Sequence, residues 1–235
     1  MKNLIILGFL IVGLVVAQFA QGQTVDEIIN KHIDALGGKD KLGKIQNIVM
    51  SGTLNYQGND IAISITQVPN KLYRQEIDVA GMHGFDMVTD KEAWMYMPFF
   101  GQSKPEPKSA EETKQSQADM DIAGPMVDYV AKGHKAELVG KETVEGKSCY
   151  HIKVTLAGGK VVHFYLDAET YLIARKSEKR TVNGQEVDNQ LDFSDYKDVD
   201  GVKMAFSMTG AYGTTYFSSI KTNQAIPESA FKHDM

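Results

Sequence analysis

Ile48-Val49-Met50-Ser51-Gly52-Thr53-Leu54-Asn55-Tyr56, then Gln57-Gly58-Asn59-Asp60, then Ile61-Ala62-Ile63-Ser64-Ile65, is the stretch that decides how this chain folds. Apolar residues recur at alternate positions on both sides of a polar, glycine-containing break, which is the period of a half-buried strand and not of a helix. Ile48, Met50, Leu54 and Tyr56 share one face of the first strand, and Ile61, Ile63 and Ile65 share one face of the next. Pairing Tyr56 with Ile61 across a four-residue turn sets Leu54 opposite Ile63 and brings the two apolar rows together. A one-residue slip would turn one row to the wrong side.

The same test works downstream. Around Asp90-Lys91, Met87 meets Trp94 and Phe85 meets Tyr96. Asn183-Gly184 and Asp200-Gly201 are dipeptides that favour tight hairpins. At the first of these, Arg175 falls opposite Asp192 and Lys179 opposite Asp188, read as solvated cross-strand ion pairs worth little each. The pattern gives about eleven strands in sequential hairpins. Upstream, Thr24 and Glu27 form a capping box, Ile28, Ile29, His32, Ile33 and Leu36 follow at helical spacing, and Gly37-Gly38 stops the helix. One interruption runs from Ser109 to about Lys132. It has its own capping box at Ser109 and Glu112, a break at Gly124-Pro125 expected to divide it into two short helices, and an apolar side of Met120, Met126, Val127 and Val130. Pro98 to Pro107 is irregular. The fold class expected is mainly β with helices (α+β), a strongly curved antiparallel meander whose concave face the helices cover.

The 235 residues, 43% hydrophobic and 23% charged, describe an ordinary globular chain and exclude a disordered tail, a collagen-like repeat and a multi-span membrane protein. A pI near 5.7 and a net charge of -5 argue against a nucleic-acid partner, which demands a concentrated basic face. The single cysteine rules out an intramolecular disulfide. Met1-Lys2-Asn3, the apolar run Leu4 to Val16 and the small residues Ala20 and Gly22 have the order of a cleaved secretory signal, giving 1–22 as leader and 23–235 as a single domain. The run is short of the ~20 residues of a permanent anchor. No later stretch is long and apolar enough to span, so the mature chain is expected to be soluble and periplasmic, without a lipid anchor of its own.

The usual catalytic motifs are missing: there is no GxSxG, HExxH, P-loop or GxGxxG. His151 and His163 on neighbouring strands, with Asp167 nearby, sketch a metal site, but histidine on a wet strand face is commoner, and no metal or other cofactor is expected. Cys149, two residues from His151, has no third element to make it a nucleophile and reads as an inert thiol. What remains is an apolar surplus. Eleven methionines are many for this length, and a flexible, polarizable side chain suits a wall that receives varied apolar partners. The plainer alternative is a methionine-rich core.

Several segments resemble the outer-membrane lipoprotein-sorting proteins, the superfamily of the periplasmic carrier LolA. They are Ala35-Leu36-Gly37-Gly38-Lys39, Ala118-Asp119-Met120-Asp121-Ile122, Lys132-Gly133-His134, Glu137 to Glu142, Val144 to Lys147, Tyr165 to Thr170, and Tyr196 to Lys203. The resemblance implies an unclosed β half-barrel lidded by helices, with no enzymatic activity. It implies a cavity that holds the acyl chains of a lipoprotein or another lipid and hands them to an envelope acceptor. Met50, Leu54, Ile63, Phe85, Met87, Trp94, Tyr96, Phe164, Phe193, Met204 and Phe206 are then the expected cavity wall. Phe99, Phe100, Met120, Met126 and Val130 are the expected lid. In the lipoprotein carriers an arginine directly before a Pro-Asn pair latches the lid; here Val68 precedes Pro69-Asn70, and the nearest arginine is Arg74. The alternative of the same fold is an envelope protein-interaction or sensor module without lipid cargo.

Overall fold

The computed structural model describes residues 23–182 and 184–233; the expected leader lies outside the described residues. Helix α1 (Val25–Leu36) begins at the capping box. The Thr24 hydroxyl accepts from the Glu27 amide at 3.2 Å, and the Glu27 carboxylate accepts from the Thr24 amide at 3.0 Å. It ends at Gly37, whose φ of 119° suits glycine. A Cβ there would also stand 2.2 Å from the Gly201 carbonyl oxygen. A single turn, α2 (Lys39–Leu42), follows.

The rest is one antiparallel sheet. Its first six strands are β1 (Ile48–Tyr56), β2 (Asn59–Val68), β3 (Leu72–Val79), β4 (Met82–Thr89), β5 (Ala93–Tyr96) and β6 (Glu106–Pro107). The other seven are β7 (Lys135–Val144), β8 (Lys147–Thr155), β9 (Val161–Asp167), β10 (Ile173–Val182), β11 (Gln185–Val199), β12 (Val202–Gly210) and β13 (Gly213–Thr222). The described residues thus hold thirteen strands where the alternation gave about eleven. The two-residue β6 sits among prolines, too short to show a period. The spatial order is β6-β5-β4-β3-β2-β1-β13-β12-β11-β10-β9-β8-β7. Two meanders are joined at the centre by the first and last strands, Ile48 pairing with Thr222. This is an unclosed β half-barrel.

Two local expectations change. Gln57 and Gly58 have φ of 50° and 81° and close a two-residue turn of the primed kind. Tyr56 therefore pairs with Asn59 and Leu54 with Ile61, and the expected register is off by two. A shift of two leaves every side chain on its face, so the apolar rows still coincide. The registers at Asp90-Lys91 and around residues 183–184 are as expected, but Lys179 makes its ion pair with Glu186 and not with Asp188.

The sheet order also explains the interruption. Strands β6 and β7 are opposite edges, so the chain between them must travel from one side of the half-barrel to the other. It does so as α3 (Ala110–Gln117), capped by Ser109 and Glu112, a 3-10 turn at Ala118–Met120, and then hydrogen-bonded turns. The second short helix expected after Gly124-Pro125 does not form. Asp128, at φ 54°, is left-handed, and such a residue ends a helix.

Candidate functional site: the inner face and its charged rim

Register assigns the faces, because residues paired across antiparallel strands point to the same side. One face carries the helices. Ile28 and Ile29 of α1 pack with Met126 on Ile152, Val154, Val162, Phe164 and Leu166. Leu42, Ile45 and Val127 cover Ile48, Ile65, Val202, Phe217 and Ile220. Followed away from these contacts, the same face carries Ile77 opposite Ile63, Ile61 opposite Leu54, Leu54 opposite Thr215, Thr215 opposite Met208, and Met208 opposite Phe193. This is a band across six strands, apolar on five of them and carried on β13 by the buried Thr215. Ile77, Ile61, Leu54, Met208 and Phe193 on it are only half-buried.

The sequence-derived wall residues divide between the two faces. Met50, Leu54, Ile63, Phe164, Phe193, Met204 and Phe206 lie on the helix-bearing face; Phe164 is packed under α1, and Met50, Met204 and Phe206 border the second core cluster. Phe85, Met87, Trp94 and Tyr96 lie on the opposite face. There they form a separate core with Leu72 under Ala230 and Phe231 of the C-terminal 3-10 turn, Glu228–Phe231. The Trp94 ring stacks on His233 with centroids 3.8 Å apart, and Arg74 Nη1 donates to the Lys232 carbonyl at 2.8 Å. On strand β4 the more apolar row, Phe85 and Met87, faces outward, and the inner row holds Asp86 and Val88, so the alternation alone points to the wrong face. Of the lid candidates, Met120 and Met126 are buried, and Phe99 lies over Gly84, where a Cβ would meet its ring at 2.8 Å. Phe100 and Val130 are 82% and 71% exposed, pointing away from the interior.

The crossing segment is held in two ways: Met120, Met126 and Val127 are buried in apolar clusters, whereas α3 is fastened by polar contacts. No residue of α3 is buried. On one side, Gln117 Nε2 donates to the Thr89 and Asp90 carbonyls, and Lys108, just before the helix, is ion-paired to Asp86 at 2.6 Å. On the other, Gln115 exchanges hydrogen bonds with Thr181, and Arg180 Nη2 donates to both Asp119 carboxylate oxygens, at 2.9 and 2.7 Å.

Arg180 belongs to a charged cluster that the sequence reading did not single out. Lys176, Glu178 and Arg180 alternate along β10 and so share a face. Lys176 pairs with Phe164 and Glu178 with Val162, which places that face inside. The Glu178 side chain is 1% exposed and has three cations around it: Lys160 at 2.8 Å, Arg180 at 2.6 Å and Lys176 at 3.5 Å. Burial alone would raise its pKa, but Lys176, Arg180 and Lys160 outweigh burial and hold it at about 2. For Arg180, burial works against the charge and Asp119 and Glu178 outweigh it, raising its pKa. At Lys160 burial prevails over Glu178 and lowers the pKa. Its signal in the sequence is three charges at period two on one strand, alternating with the outward residues Arg175 and Lys179.

A groove of about 1000 Å³ opens beside this cluster, between α3, the β8–β9 turn and β10–β11; Lys114, Lys160, His163, Glu178 and Arg180 are among its walls. His163 Nδ1 lies 2.7 Å from His151 Nε2, and His151 Nδ1 lies 2.6 Å from Glu142 Oε1. The two histidines do converge, but the third group is Glu142. Asp167 accepts instead from the Glu169 and Thr170 amides and pairs with Lys147. Among the described residues no group of three or more His, Cys, Asp or Glu is disposed around a metal position. Cys149 is fully buried, and its pKa is raised by burial and by Asp167, which suits an inert thiol. No helix of the described residues is long and apolar enough to cross a membrane.

No protein-family model matches the sequence. No curated protein matches it either. Solved structures do match over nearly the whole chain. A LolA superfamily protein of Nitrosomonas europaea is 12% identical, with 90% of this chain and 98% of that one covered at a TM-score of 0.54. A DUF1329 family protein of Desulfovibrio piger is 16% identical, with 90% and 98% covered at 0.50. An outer membrane lipoprotein-sorting protein domain of Vibrio parahaemolyticus is 13% identical, with 88% and 95% covered at 0.50. At these identities the likeness is one of fold, and the fold of this chain is LolA-like.

Proposed function

We propose that the protein is a non-enzymatic carrier of the cell envelope that holds acyl chains, from a lipoprotein or another lipid, against the inner face of its half-barrel. The observation that carries this reading is the apolar band from Ile77 to Phe193, half-buried and bridged by α3, a helix held through polar contacts. An acyl chain gains roughly 0.8 kcal/mol per buried methylene, so a sixteen-carbon chain gains about 12 kcal/mol and does not travel through water unshielded. A carrier must also let go. Hydrogen bonds and ion pairs exchange readily with water, so a lid fastened by them opens more easily than one sealed by apolar packing. The likeness in fold to a lipoprotein-sorting domain agrees with this use.

The test is capture of a fluorescent fatty acid by the mature chain, combined with native mass spectrometry. Wild type is expected to give a stoichiometric adduct lost on denaturation, and Leu54→Asp and Phe193→Asp to weaken capture about tenfold or more. Capture unchanged in both variants would show that the band is not the site. A clean apo mass after incubation with fatty acids and phospholipids would favour the protein-interaction module.

A further inference from the structure

From the charged cluster beside the groove, we infer that the cargo is an anionic amphiphile, whose phosphate or carboxylate head is received by Lys160 with Lys176 and Arg180 while its chain lies along the apolar band. The inference rests on the acyl-binding reading above. Five charged side chains meet on the inner face: Lys160, Lys176 and Arg180 against Asp119 and Glu178. The cations exceed the carboxylates by one.

The shortfall falls on Lys160. Asp119 receives Arg180 through two hydrogen bonds and has Lys176 at 3.7 Å. Glu178 is shared by all three cations, and its Oε1 accepts from Arg180 Nε at 2.6 Å. The Lys160 ammonium reaches only Glu178 Oε2, at 2.8 Å, so a single acceptor faces its three N–H groups. Its Nζ is buried, and no further acceptor among the described residues meets it. A buried ammonium with unmet N–H groups is costly unless an acceptor is supplied, and an anionic oxygen meets both the charge and the donors.

The place is also right for a head group. Glu178 pairs with Asn189 and Lys176 with Leu191, and two residues further along the same face of β11 stands Phe193, the end of the apolar band. Four residues of strand span roughly 13 Å. Polar cluster and band are therefore consecutive parts of one surface, as an amphiphile requires.

Three probes separate the parts of this ligand: dodecyl phosphate, dodecanol with the same chain, and inorganic phosphate with the same head, titrated below micelle formation. Wild type is expected to bind dodecyl phosphate about tenfold or more tighter than dodecanol, the size of one charge-assisted contact, and inorganic phosphate more weakly than either. Lys160→Met should bring the first two within about twofold of each other and leave dodecanol unchanged. Lys160→Arg should keep the preference. If the Met variant fails to fold, Lys160→Gln, which keeps a donor without the charge, takes its place. Equal binding of dodecyl phosphate and dodecanol to wild type would overturn the head-group assignment and leave the acyl reading standing. Inorganic phosphate binding as tightly as dodecyl phosphate would make this a free-anion site and overturn the amphiphile. Binding of none of the three would overturn the acyl reading itself.

Discussion

Arg180 of β10 holds Asp119, just beyond α3, by donating from Nη2 to both carboxylate oxygens, and so ties the crossing segment to the far half of the sheet. The tie lies close to the Pro69-Asn70 pair, since the Met120 carbonyl beside Asp119 accepts from the Asn70 amide at 3.4 Å, and under the carrier reading it is the latch of the lid. Arg180→Met leaves Asp119 and Glu178 with fewer cations. It is expected to destabilise the fold by about 1–3 kcal/mol, less than a fully buried pair because both partners touch solvent. Amide exchange in 110–120 should accelerate more than in α1. Equal acceleration in both would show that Arg180 supports the fold as a whole and not the lid.

Acid should weaken the protein in two stages. His32, buried in α1, has its pKa lowered by burial to about 4, while its Nδ1 contacts the Tyr171 carbonyl at 2.8 Å. Its folded pKa lies below the unfolded 6.5, so the unfolded state takes up the proton first and stability falls from pH 6.5 towards 4. Glu178, held at about 2 against 4.5 unfolded, contributes stability above pH 4.5 that is lost as pH falls towards 2. Each shift amounts to about 3 kcal/mol. Denaturant melts between pH 7 and 2 should show the first loss abolished in His32→Gln and the second in Glu178→Gln.

Trp94 is the single tryptophan, and it lies on the outer face against His233. Its fluorescence should ignore acyl probes bound inside and shift to the red when residues 228–235 are removed. A large change on adding a fatty acid, with the C-terminal segment intact, would place the ligand on the outer face.

Gly52 stands where β1 and β13 change register, and a Cβ there would meet the Tyr216 carbonyl oxygen at 2.3 Å and Phe217 Cα at 2.8 Å. Both atoms belong to backbone, so the clash cannot be relieved by a rotamer. Gly52→Val is expected to cost about 3 kcal/mol. Gly58→Val, in a turn with open space around it but φ of 81°, should cost less.

Much of the architecture was written in the period of the sequence. Both capping boxes stand where Thr24 and Ser109 announced them, and the strand alternation yielded the meander and most of its registers. The β1–β2 register was missed because Gln57-Gly58 supplies two left-handed residues where only a polar stretch was visible. The division of the apolar rows was hidden for a different reason. Each side of the β3–β4 hairpin mixes apolar and polar residues, Tyr73 and Val88 with Asp86 on one and Phe85 and Met87 with Arg74 on the other. Only the return of Phe231 to the outer face decides between them, and alternation within a strand carries no information about a segment more than a hundred residues away. Lys176, Glu178 and Arg180 were legible as a row. That the row faces inward follows from their partners Phe164 and Val162 on β9.

The seam between β1 and β13 fixes when this molecule can come into being. Each meander can zip up hairpin by hairpin through local contacts, but the two share their inner face only when the last strand meets the first. Contacts between such distant parts of the chain form slowly. A chain still emerging from a ribosome or a translocation pore lacks β13 and holds two open half-sheets, each with an unpaired edge. Commitment to the native state therefore waits for the delivery of β13, and shortening the chain into β13 should divide the fold rather than trim it.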